Sequence, residues 1–430
     1  MQRRNNSLWL VCVLCLVATL VGSPLMAAGF SLLFEQGAKS MGVAGAFTAT
    51  ADDPSAMFYN VGGLAFLKEK EFQAGFTLVT SSGSEFTGAA PFPGEGVIEE
   101  MGSLSEVLPH FYWVQPVNNR LTFGFAVNAP FGLVTEWDPA GFSGRYISTK
   151  GALTSVDLSG NFGWQATDRL GIGFGAILRL TEIELNLYQG AINPFSGTVA
   201  DIANVALESD LENASGWHAG FLHRVNNSFS WGFGYRSEVD MDLSGDARFT
   251  QIATGNPQFD GLVASLLPFG TALPITTNIE FPSSWSLGVA LALSRNCRAE
   301  VDYNWTEWST FQEVVVDFGG ALPNTTIGQH WDDVNNYRIG FRHLGSGGRE
   351  WRFGYVFDET PQPDETIGPL LPDADRDGIT IGYGRQRQNR SFDVALLYLV
   401  FDDRTTLVND SGFNGTWKTE GILLSTSVGW

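Results

Sequence analysis

Hydrophobic and polar residues alternate strictly along much of the chain, which is the pattern of β-strands with two different faces. In the clearest example, Phe229, Trp231, Phe233 and Tyr235 alternate with Ser230, Gly232, Gly234 and Arg236. Repeats of this pattern predict 14 strands, at residues 70–80, 107–116, 120–129, 150–164, 169–187, 206–223, 229–243, 284–294, 297–310, 334–343, 350–359, 377–387, 391–401 and 420–430. Short connections rich in turn-forming residues alternate with long ones.

An apolar face opposite a small or polar face on every strand is typical of a transmembrane β-barrel, as are an even strand number and loops of alternating length. A soluble sandwich also alternates, but aromatic faces on so many strands would require a very large soluble core. No apolar run after the first 27 residues reaches 18 residues, which argues against helical membrane spans. We therefore predict an all-β fold, a 14-stranded antiparallel transmembrane β-barrel.

Residues 1–27 have the pattern of a cleaved secretory signal peptide. Arg3 and Arg4 precede an apolar run of 14 residues, which is followed by the small residues Ala27 and Ala28. That run is shorter than the roughly 20 residues a membrane-spanning helix needs, although a retained anchor is the alternative. Only Cys297 remains after cleavage, so no intrachain disulfide can form. These features predict export to the bacterial outer membrane.

The amino-acid composition indicates which classes of binding partner this protein can have. Of 430 residues, 50 are Gly and only 17% are charged, with a formal net charge of −21. Such an excess of acid argues against nucleic-acid binding, which needs a basic face. The chain ends on an amphipathic strand with a terminal Trp430, similar to the signal by which outer-membrane proteins are recognised for barrel assembly. We expect outer-membrane lipid, lipopolysaccharide and the barrel assembly machinery as partners.

Short motifs also occur outside the alternating pattern. They are Ala28-Gly29-Phe30, Gly42 through Ala46, Ala51-Asp52-Asp53-Pro54 leading to Asn60, Phe131 through Trp137, Trp305 through Phe311, Phe357 through Pro361, and Leu371 through Arg376. In this order they resemble the outer-membrane long-chain fatty acid and hydrocarbon transporters of the FadL/TodX type. The resemblance implies that residues 28–68 form a hatch that plugs the barrel of residues 69–430. We expect a monomer that uses no cofactor and no metal.

The resemblance also implies a gate. The family hatch usually reads Asn-Pro-Ala where this chain has Asn60, Val61 and Gly62, and losing the proline should make the turn more flexible. In the family, ligand displaces the N-terminal segment and leaves laterally through a gap in the barrel wall. Pro130 marks the third strand as the candidate gap because proline cannot donate to a strand ladder. A simple strand end explains Pro130 as well.

Two external loops carry apolar residues suited to capturing an apolar substrate. Leu262 and Leu266 are four residues apart in a segment that predicts a short amphipathic helix, and Phe269 follows it. The loop at 188–206 adds Phe195. The resemblance implies that these loops form a capture groove, with ordinary packing on the barrel rim as the alternative.

Three residues are predicted to bind substrate inside the barrel. The resemblance places Phe30 at the lumen site, and Leu33 is close enough in sequence to reach it. Arg179 must face the lumen, because its neighbours face lipid and an arginine there would cost about 2–4 kcal/mol. Its guanidinium suits a substrate carboxylate, although a structural ion pair with a lumen acid is an equal alternative.

We therefore predict uptake of hydrophobic molecules by ligand-gated passive diffusion, with long-chain fatty acids as the leading substrate. Aromatic or alkane hydrocarbons are the alternative substrate. An outer-membrane lipid hydrolase is a more distant alternative, although the sequence has no Gly-x-Ser-x-Gly motif. A purely structural or surface-binding barrel is also less favoured, because it has no evident use for a hatch.

Overall fold

The computed structural model describes residues 30–430, so the predicted signal peptide at residues 1–27 and the first two residues of the predicted hatch lie outside the described residues. The described part contains 22 strands. They are β1 (Glu71–Gly88), β2 (Ile98–Glu100), β3 (Leu104–Pro116), β4 (Leu121–Asn128), β5 (Gly132–Glu136), β6 (Lys150–Gln165), β7 (Leu170–Ile192), β8 (Val199–Ser209), β9 (Glu212–His223), β10 (Phe229–Arg236), β11 (Val239–Gln251), β12 (Leu273–Phe281), β13 (Ser284–Ala292), β14 (Cys297–Thr306), β15 (Glu313–Val316), β16 (Thr325–Gly328), β17 (Val334–Leu344), β18 (Arg349–Asp358), β19 (Arg376–Arg387), β20 (Arg390–Phe401), β21 (Arg404–Thr406) and β22 (Gly415–Gly429). The helices are α1 (Ala38–Met41), α2 (Ala56–Tyr59), α3 (Pro257–Leu266) and 3₁₀ helices at Val61–Phe66, Ser143–Tyr146 and Trp308–Thr310.

Fourteen strands form a closed antiparallel barrel, which confirms the predicted fold class. Their order around the barrel is their order along the chain: β1, β3, β4, β6, β7, β9, β10, β13, β14, β17, β18, β19, β20 and β22. The barrel closes where β22 pairs with β1, with Leu424 opposite Leu78. Tight turns at one end identify the periplasmic side, and the long loops lie at the external end.

Several predicted boundaries on one side of the barrel are wrong. The predicted strand 206–223 divides into β8 and β9, the predicted strand 229–243 divides into β10 and β11, and β12 lies in a predicted loop. The predicted loop 188–206 is largely the end of β7 and the start of β8. At each division the inward face switches between even and odd residue numbers, so one continuous alternation cannot describe both parts. The outer strands extend the wall beyond the membrane as a sheet of β7, β8, β11 and β12.

Two belts of outward-facing aromatic residues mark the membrane boundaries. In the external belt, Trp217 contacts Tyr235 at 5.1 Å between ring centroids, and Trp285 contacts Tyr303 at 5.1 Å. The periplasmic belt includes Trp351 and Tyr383 (4.9 Å), Phe392, and the terminal Trp430 stacked on Phe72 (5.8 Å). No helix between residues 30 and 430 has the length and apolar character needed to cross a membrane.

The described part of the N-terminal segment (residues 30–68) is mostly buried and packs inside the barrel. Glycines on the inner faces of β6 and β7 leave room for the 3₁₀ helix Val61–Phe66. A Cβ atom on Gly173 would lie 2.2 Å from the Val61 carbonyl oxygen, and one on Gly163 would lie 2.4 Å from the Ala65 nitrogen. These contacts explain why small residues occupy inward positions of strands whose outward positions are large and apolar.

Candidate functional site

An apolar chamber lies at the external end of the barrel interior. It offers about 860 Å³ of empty space, its open mouth included. Its lining is mainly aliphatic and aromatic: Phe30, Leu133, Leu153, Ile183, Ile279, Phe311, Trp331 and Leu371. Concave sites lined in this way bind apolar ligands. The polar groups at its edge include Glu184, whose carboxylate pairs with Lys150 at 2.6 Å.

Phe30 is the centre of an aromatic cluster in the chamber wall, and its role in substrate binding stays a prediction. Its ring centroid lies 4.7 Å from Trp308, 5.3 Å from Phe311 and 5.6 Å from Trp331. Phe131 and Phe281 complete the cluster at 5.9 and 6.0 Å. The N-terminal segment therefore contributes a wall of the chamber.

Arg179 lies against the same aromatic cluster, facing the barrel interior as parity predicts. It is 1% exposed, and its guanidinium stands over the rings of Phe131 (4.5 Å) and Phe281 (4.8 Å). Its Nε and Nη2 donate to the two carboxylate oxygens of Asp157 at 2.8 and 2.9 Å. The ion pair that was the alternative for Arg179 is present, and a role in substrate binding stays a prediction.

A second cavity, the lumen cavity, adjoins this cluster and has about 780 Å³ of empty space, its open mouth included. Polar side chains are common in its wall: Ser31, Thr48, Tyr59, Asn60, His218, Arg236, Asn304 and Arg338. Leu33 also lines it, so the structure places Leu33 here and not in the apolar chamber. Arg236 donates to Asp157 at 3.2 Å, so two guanidinium groups share one carboxylate.

Two neighbouring carboxylates on β14 hold the middle of the N-terminal segment. Asp302 accepts the backbone N–H groups of Phe47 and Thr48, each at 2.9 Å. Glu300 accepts those of Ala49 and Thr50 at 2.5 and 3.2 Å. The sequence reasoning missed both residues. Parity would have placed them inward, as it did Arg179, but their partners lie about 250 positions away in the chain.

The periplasmic end of the N-terminal segment is held by charges. Asp52 pairs with Lys39 at 2.9 Å and with Arg342 at 3.0 Å. Burial alone would raise the pKa of Asp52, but the two cations outweigh it and hold the pKa below its usual range. The pKa of Glu35, which lies nearer the start of the segment, is shifted in the opposite direction. Burial raises it from 4.5 to about 6, against the opposing charge of Arg376.

The predicted gating turn is a packed 3₁₀ helix. Asn60 donates from its side-chain amide to the carbonyls of Thr48 (2.7 Å) and Phe221 (2.9 Å), and its Oδ1 accepts the Gly62 N–H at 3.0 Å. A Cβ atom on Gly62 would lie 2.5 Å from Phe221 Cα. Glycine at this position therefore allows close approach to the barrel wall. Val61 is buried against the inner face of β7.

Pro130 lies in a break of the barrel wall between β4 and β5. β3 pairs with β4 only as far as Phe111 opposite Val127, and β5 pairs only with β6. Residues of the N-terminal segment run along this break: the Leu32 N–H donates to the Pro130 carbonyl at 2.8 Å, and the Gly132 N–H donates to the Phe30 carbonyl at 2.9 Å. The break and the chamber wall thus share Phe30.

Three of the four external residues predicted for capture are exposed, and the fourth, Phe269, is partly buried. α3 confirms the predicted helix, with Phe259 and Val263 buried and with Leu262 and Leu266 exposed at 48% and 68%. Phe195 is 58% exposed at the turn between β7 and β8. Phe269 is partly buried in a cluster that joins α3 to those two strands. The two predicted loops therefore meet, and an exposed apolar surface of this kind is typical of a binding site.

Between residues 30 and 430, no group of three or more His, Cys, Asp or Glu side chains is placed to hold a metal ion. The chemistry available here is apolar contact, hydrogen bonding and ion pairing.

The chain matches proteins of known family and structure. The family model for outer membrane protein transport proteins (OMPP1/FadL/TodX) matches residues 18–429. The chain is similar to the long-chain fatty acid transport protein of Escherichia coli O6:H1, at 24% identity over 425 residues and 92% of each chain. It is similar in structure to a Pseudomonas aeruginosa FadL homologue, with 21% identity, a TM-score of 0.79 and coverage of 94% of this chain and 99% of that one. It is also similar in structure to the toluene transporter TodX of P. putida, with 18% identity, a TM-score of 0.69 and coverage of 93% of this chain and 99% of that one.

Proposed function

The chain belongs to the OMPP1/FadL/TodX family of outer membrane transport proteins, which are not enzymes, and we propose that the hydrophobic molecules it carries are long-chain fatty acids. Membership removes the lipid hydrolase from the alternatives. The fatty acid is captured on the exposed face of α3, held in the apolar chamber and released from the barrel after the N-terminal segment moves.

The observation that carries this proposal is a surplus of positive charge beside an apolar chamber. Arg179 and Arg236 share Asp157, so this buried cluster has one cation more than it has anions. Arg179 packs on Phe131 and Phe281, the rings that also contact Phe30 in the chamber wall. A long acyl chain suits the chamber, and a carboxylate suits the uncompensated charge beneath its wall.

The wall break supports lateral exit as part of the same proposal. Phe30 belongs both to the chamber wall and to the chain that hydrogen-bonds along the break at Pro130. A ligand that takes the place of the Phe30 ring would draw this chain away from the break. The Gln36 side chain would move with it, since its amide donates to the Ala129 carbonyl at 2.6 Å. Binding and opening would then be one event.

The test is uptake of radiolabelled oleate by cells that lack their own outer-membrane fatty acid transporter. Wild-type protein should restore uptake, and Arg179→Ala should lower it by about tenfold, the loss of roughly one charge-assisted hydrogen bond. Toluene uptake by the same cells should be unaffected by the substitution, because toluene has no carboxylate. Arg248→Ala, which removes an exposed external arginine, is the matched control.

Aromatic hydrocarbons are the second candidate, favoured by the aromatic cluster around Phe30. Cells that take up toluene but no oleate, with the barrel folded at the surface, would replace the fatty acid proposal with this one. Equal loss of oleate and toluene uptake in Arg179→Ala would make Arg179 a structural residue.

A further inference from the structure

An unusual group of arginines lies on the outside of the barrel at its periplasmic end. Arg349, Arg385, Arg387 and Arg390 are all exposed, on three consecutive strands, β18, β19 and β20. They alternate with inward residues such as Glu350 and Gly384, so they share the outward face with Trp351 and Tyr383. The group therefore lies on the membrane-facing side of these strands, where Arg349, Arg385 and Arg390 also border the periplasmic mouth of the barrel.

The strand register brings these like charges directly opposite one another. Arg349 is the cross-strand partner of Arg385, and Arg387 is that of Arg390 across a two-residue turn. Like charges in such positions destabilise a sheet unless something neutralises them. In the described part of the chain, no carboxylate oxygen lies within 4.0 Å of a guanidinium nitrogen of these four residues.

The two acids on the inner face of these strands, Glu350 and Asp393, pair with other arginines. Glu350 points inward and pairs with Arg342 (3.0 Å) and Arg352 (2.5 Å), and Asp393 also pairs with Arg352 (2.7 Å). The strands thus neutralise charge on their inner face and leave it uncompensated on their outer face, in a chain whose net charge is −21. An anion from outside the chain would complete the arrangement.

The position of the arginine group relative to the membrane indicates which kind of anion it can bind. An open groove on the barrel surface is lined by Tyr383, Arg385, Arg387, Arg390, Phe392 and Trp430. Tyr383, Phe392 and Trp430 belong to the periplasmic aromatic belt, and Arg385 lies opposite Phe392 in the ladder. Side chains one step beyond an aromatic belt are at the level of the lipid headgroups. The groove thus offers cations to a headgroup phosphate and rings to the adjoining acyl chains.

We propose that this outward arginine groove on β18, β19 and β20 binds an anionic phospholipid of the periplasmic leaflet of the outer membrane. The phosphate lies among Arg385, Arg387 and Arg390, where planar guanidinium groups donate paired hydrogen bonds to its oxygens. The acyl chains lie along Phe392 and Trp430. Such a lipid would neutralise the opposed arginines and brace the last two strands where the barrel closes.

Native mass spectrometry of the full-length barrel in neutral detergent tests this site. The probes are dioleoyl phosphatidylglycerol and dioleoyl phosphatidylcholine, which have the same acyl chains but an anionic phosphoglycerol and a zwitterionic phosphocholine headgroup, respectively. Wild-type protein should retain phosphatidylglycerol with a preference of roughly tenfold or more, since each basic residue near an anionic headgroup contributes to binding. The triple variant R385Q/R387Q/R390Q should lose the preference, and R385K/R387K/R390K should keep part of it.

The matched control is R120Q/R169Q/R295Q, which removes three exposed arginines from other periplasmic turns and changes the net charge equally. It should bind phosphatidylglycerol like the wild type. The absence of a preference in the wild type, or equal loss in the two glutamine variants, would overturn the proposal. Displacement of the lipid by an equal concentration of inorganic phosphate would also overturn it, in favour of a simple phosphate site. Heat-modifiable migration of each variant on a gel reports whether the barrel is folded.

Discussion

The apolar chamber and the lumen cavity adjoin the same aromatic cluster, yet they are built from different interactions. The chamber wall consists of rings and aliphatic side chains, and its contacts have no preferred direction. Around the lumen cavity the N-terminal segment is held by directed bonds, four of them from backbone amides to Glu300 and Asp302. Phe30, at the start of the segment, belongs to the chamber wall, and residues 47–50 are held by the carboxylates of β14.

The difference matters because the two kinds of contact respond differently to a ligand. An apolar ligand can replace an apolar side chain such as Phe30 at little cost, since one apolar surface substitutes for another. It cannot replace the carboxylates that accept the amides of residues 47–50, and an unsatisfied buried donor is costly. We therefore expect ligand to mobilise residues 30–36 and to leave residues 37–66 in place.

Breaking the polar side should have the largest effect. Glu300→Ala combined with Asp302→Ala leaves four buried amides without acceptors, at about 1–3 kcal/mol each. Hydrogen exchange at residues 47–50 should therefore accelerate by at least roughly a thousandfold. Mass spectrometry of peptides from the exchanged protein measures this directly.

The matched control is Asp240→Ala with Asp242→Ala, which removes two carboxylates at the same spacing from the exposed outer face of β11. It should leave the exchange of residues 47–50 at the wild-type rate. Equal protection in both double variants would mean that the carboxylates of β14 do not hold the segment.

Removing apolar contacts from the chamber wall should have a smaller effect, and one on ligand binding and not on residues 47–50. Phe30→Ala removes the ring that the ligand must displace, whose burial is worth about 1.5–3 kcal/mol in the ligand-free state, so oleate affinity by calorimetry should rise by roughly 10- to 100-fold. Exchange at residues 47–50 should stay unchanged. Phe195→Ala, on the exposed external turn, is the control and should slow uptake without changing affinity in the chamber. If Phe30→Ala released residues 47–50 as well, the two regions would be one cooperative unit.

The sequence could predict what depends on local pattern. Alternation predicted the barrel strands, and parity placed Arg179 inside because lipid excludes it. The divisions at β8–β9 and β10–β11 were missed because the alternation changes phase there. Contacts between distant residues were also out of reach: neither the pair of Arg179 with Asp157 nor the amides held by Glu300 can be read from spacing.

Overpacking the contact between the N-terminal segment and the barrel wall should change the stability of the segment without changing ligand binding in the chamber. Gly62→Ala introduces a Cβ atom 2.5 Å from Phe221 Cα, and backbone cannot move aside easily. Overpacking of this kind costs about 1–3 kcal/mol, so exchange of residues 60–66 should accelerate while ligand affinity is unchanged. Gly261→Ala on α3, where a Cβ meets open space, should be neutral or slightly stabilising. A Gly62→Ala variant with wild-type exchange would show that the wall accommodates the methyl group.

The smallest expected effect is the pH dependence of residues 30–36, and it depends on Glu35. Because the pKa of Glu35 is raised from 4.5 to about 6, the packed segment favours the protonated carboxyl. The free energy that holds residues 30–36 in the packed state is therefore unchanged below pH 4.5 and becomes less favourable as the pH rises to about 6. Above that pH it stays about 2 kcal/mol less favourable.

Glu35→Gln isolates this contribution, because the amide has nearly the same shape and no charge to bury. The ratio of wild-type to variant exchange rates at residues 30–36 should be near one at pH 4.5 and rise to the order of 30-fold at pH 7. Taking the ratio at each pH cancels the intrinsic dependence of exchange on pH. A ratio that stayed constant would mean that Glu35 has the same pKa in the packed and the released segment, with Arg376 fully compensating its burial. Electrostatic attraction between Glu35 and Arg376 would then help to hold residues 30–36. These residues would not differ from residues 47–50 in the kind of contact that holds them.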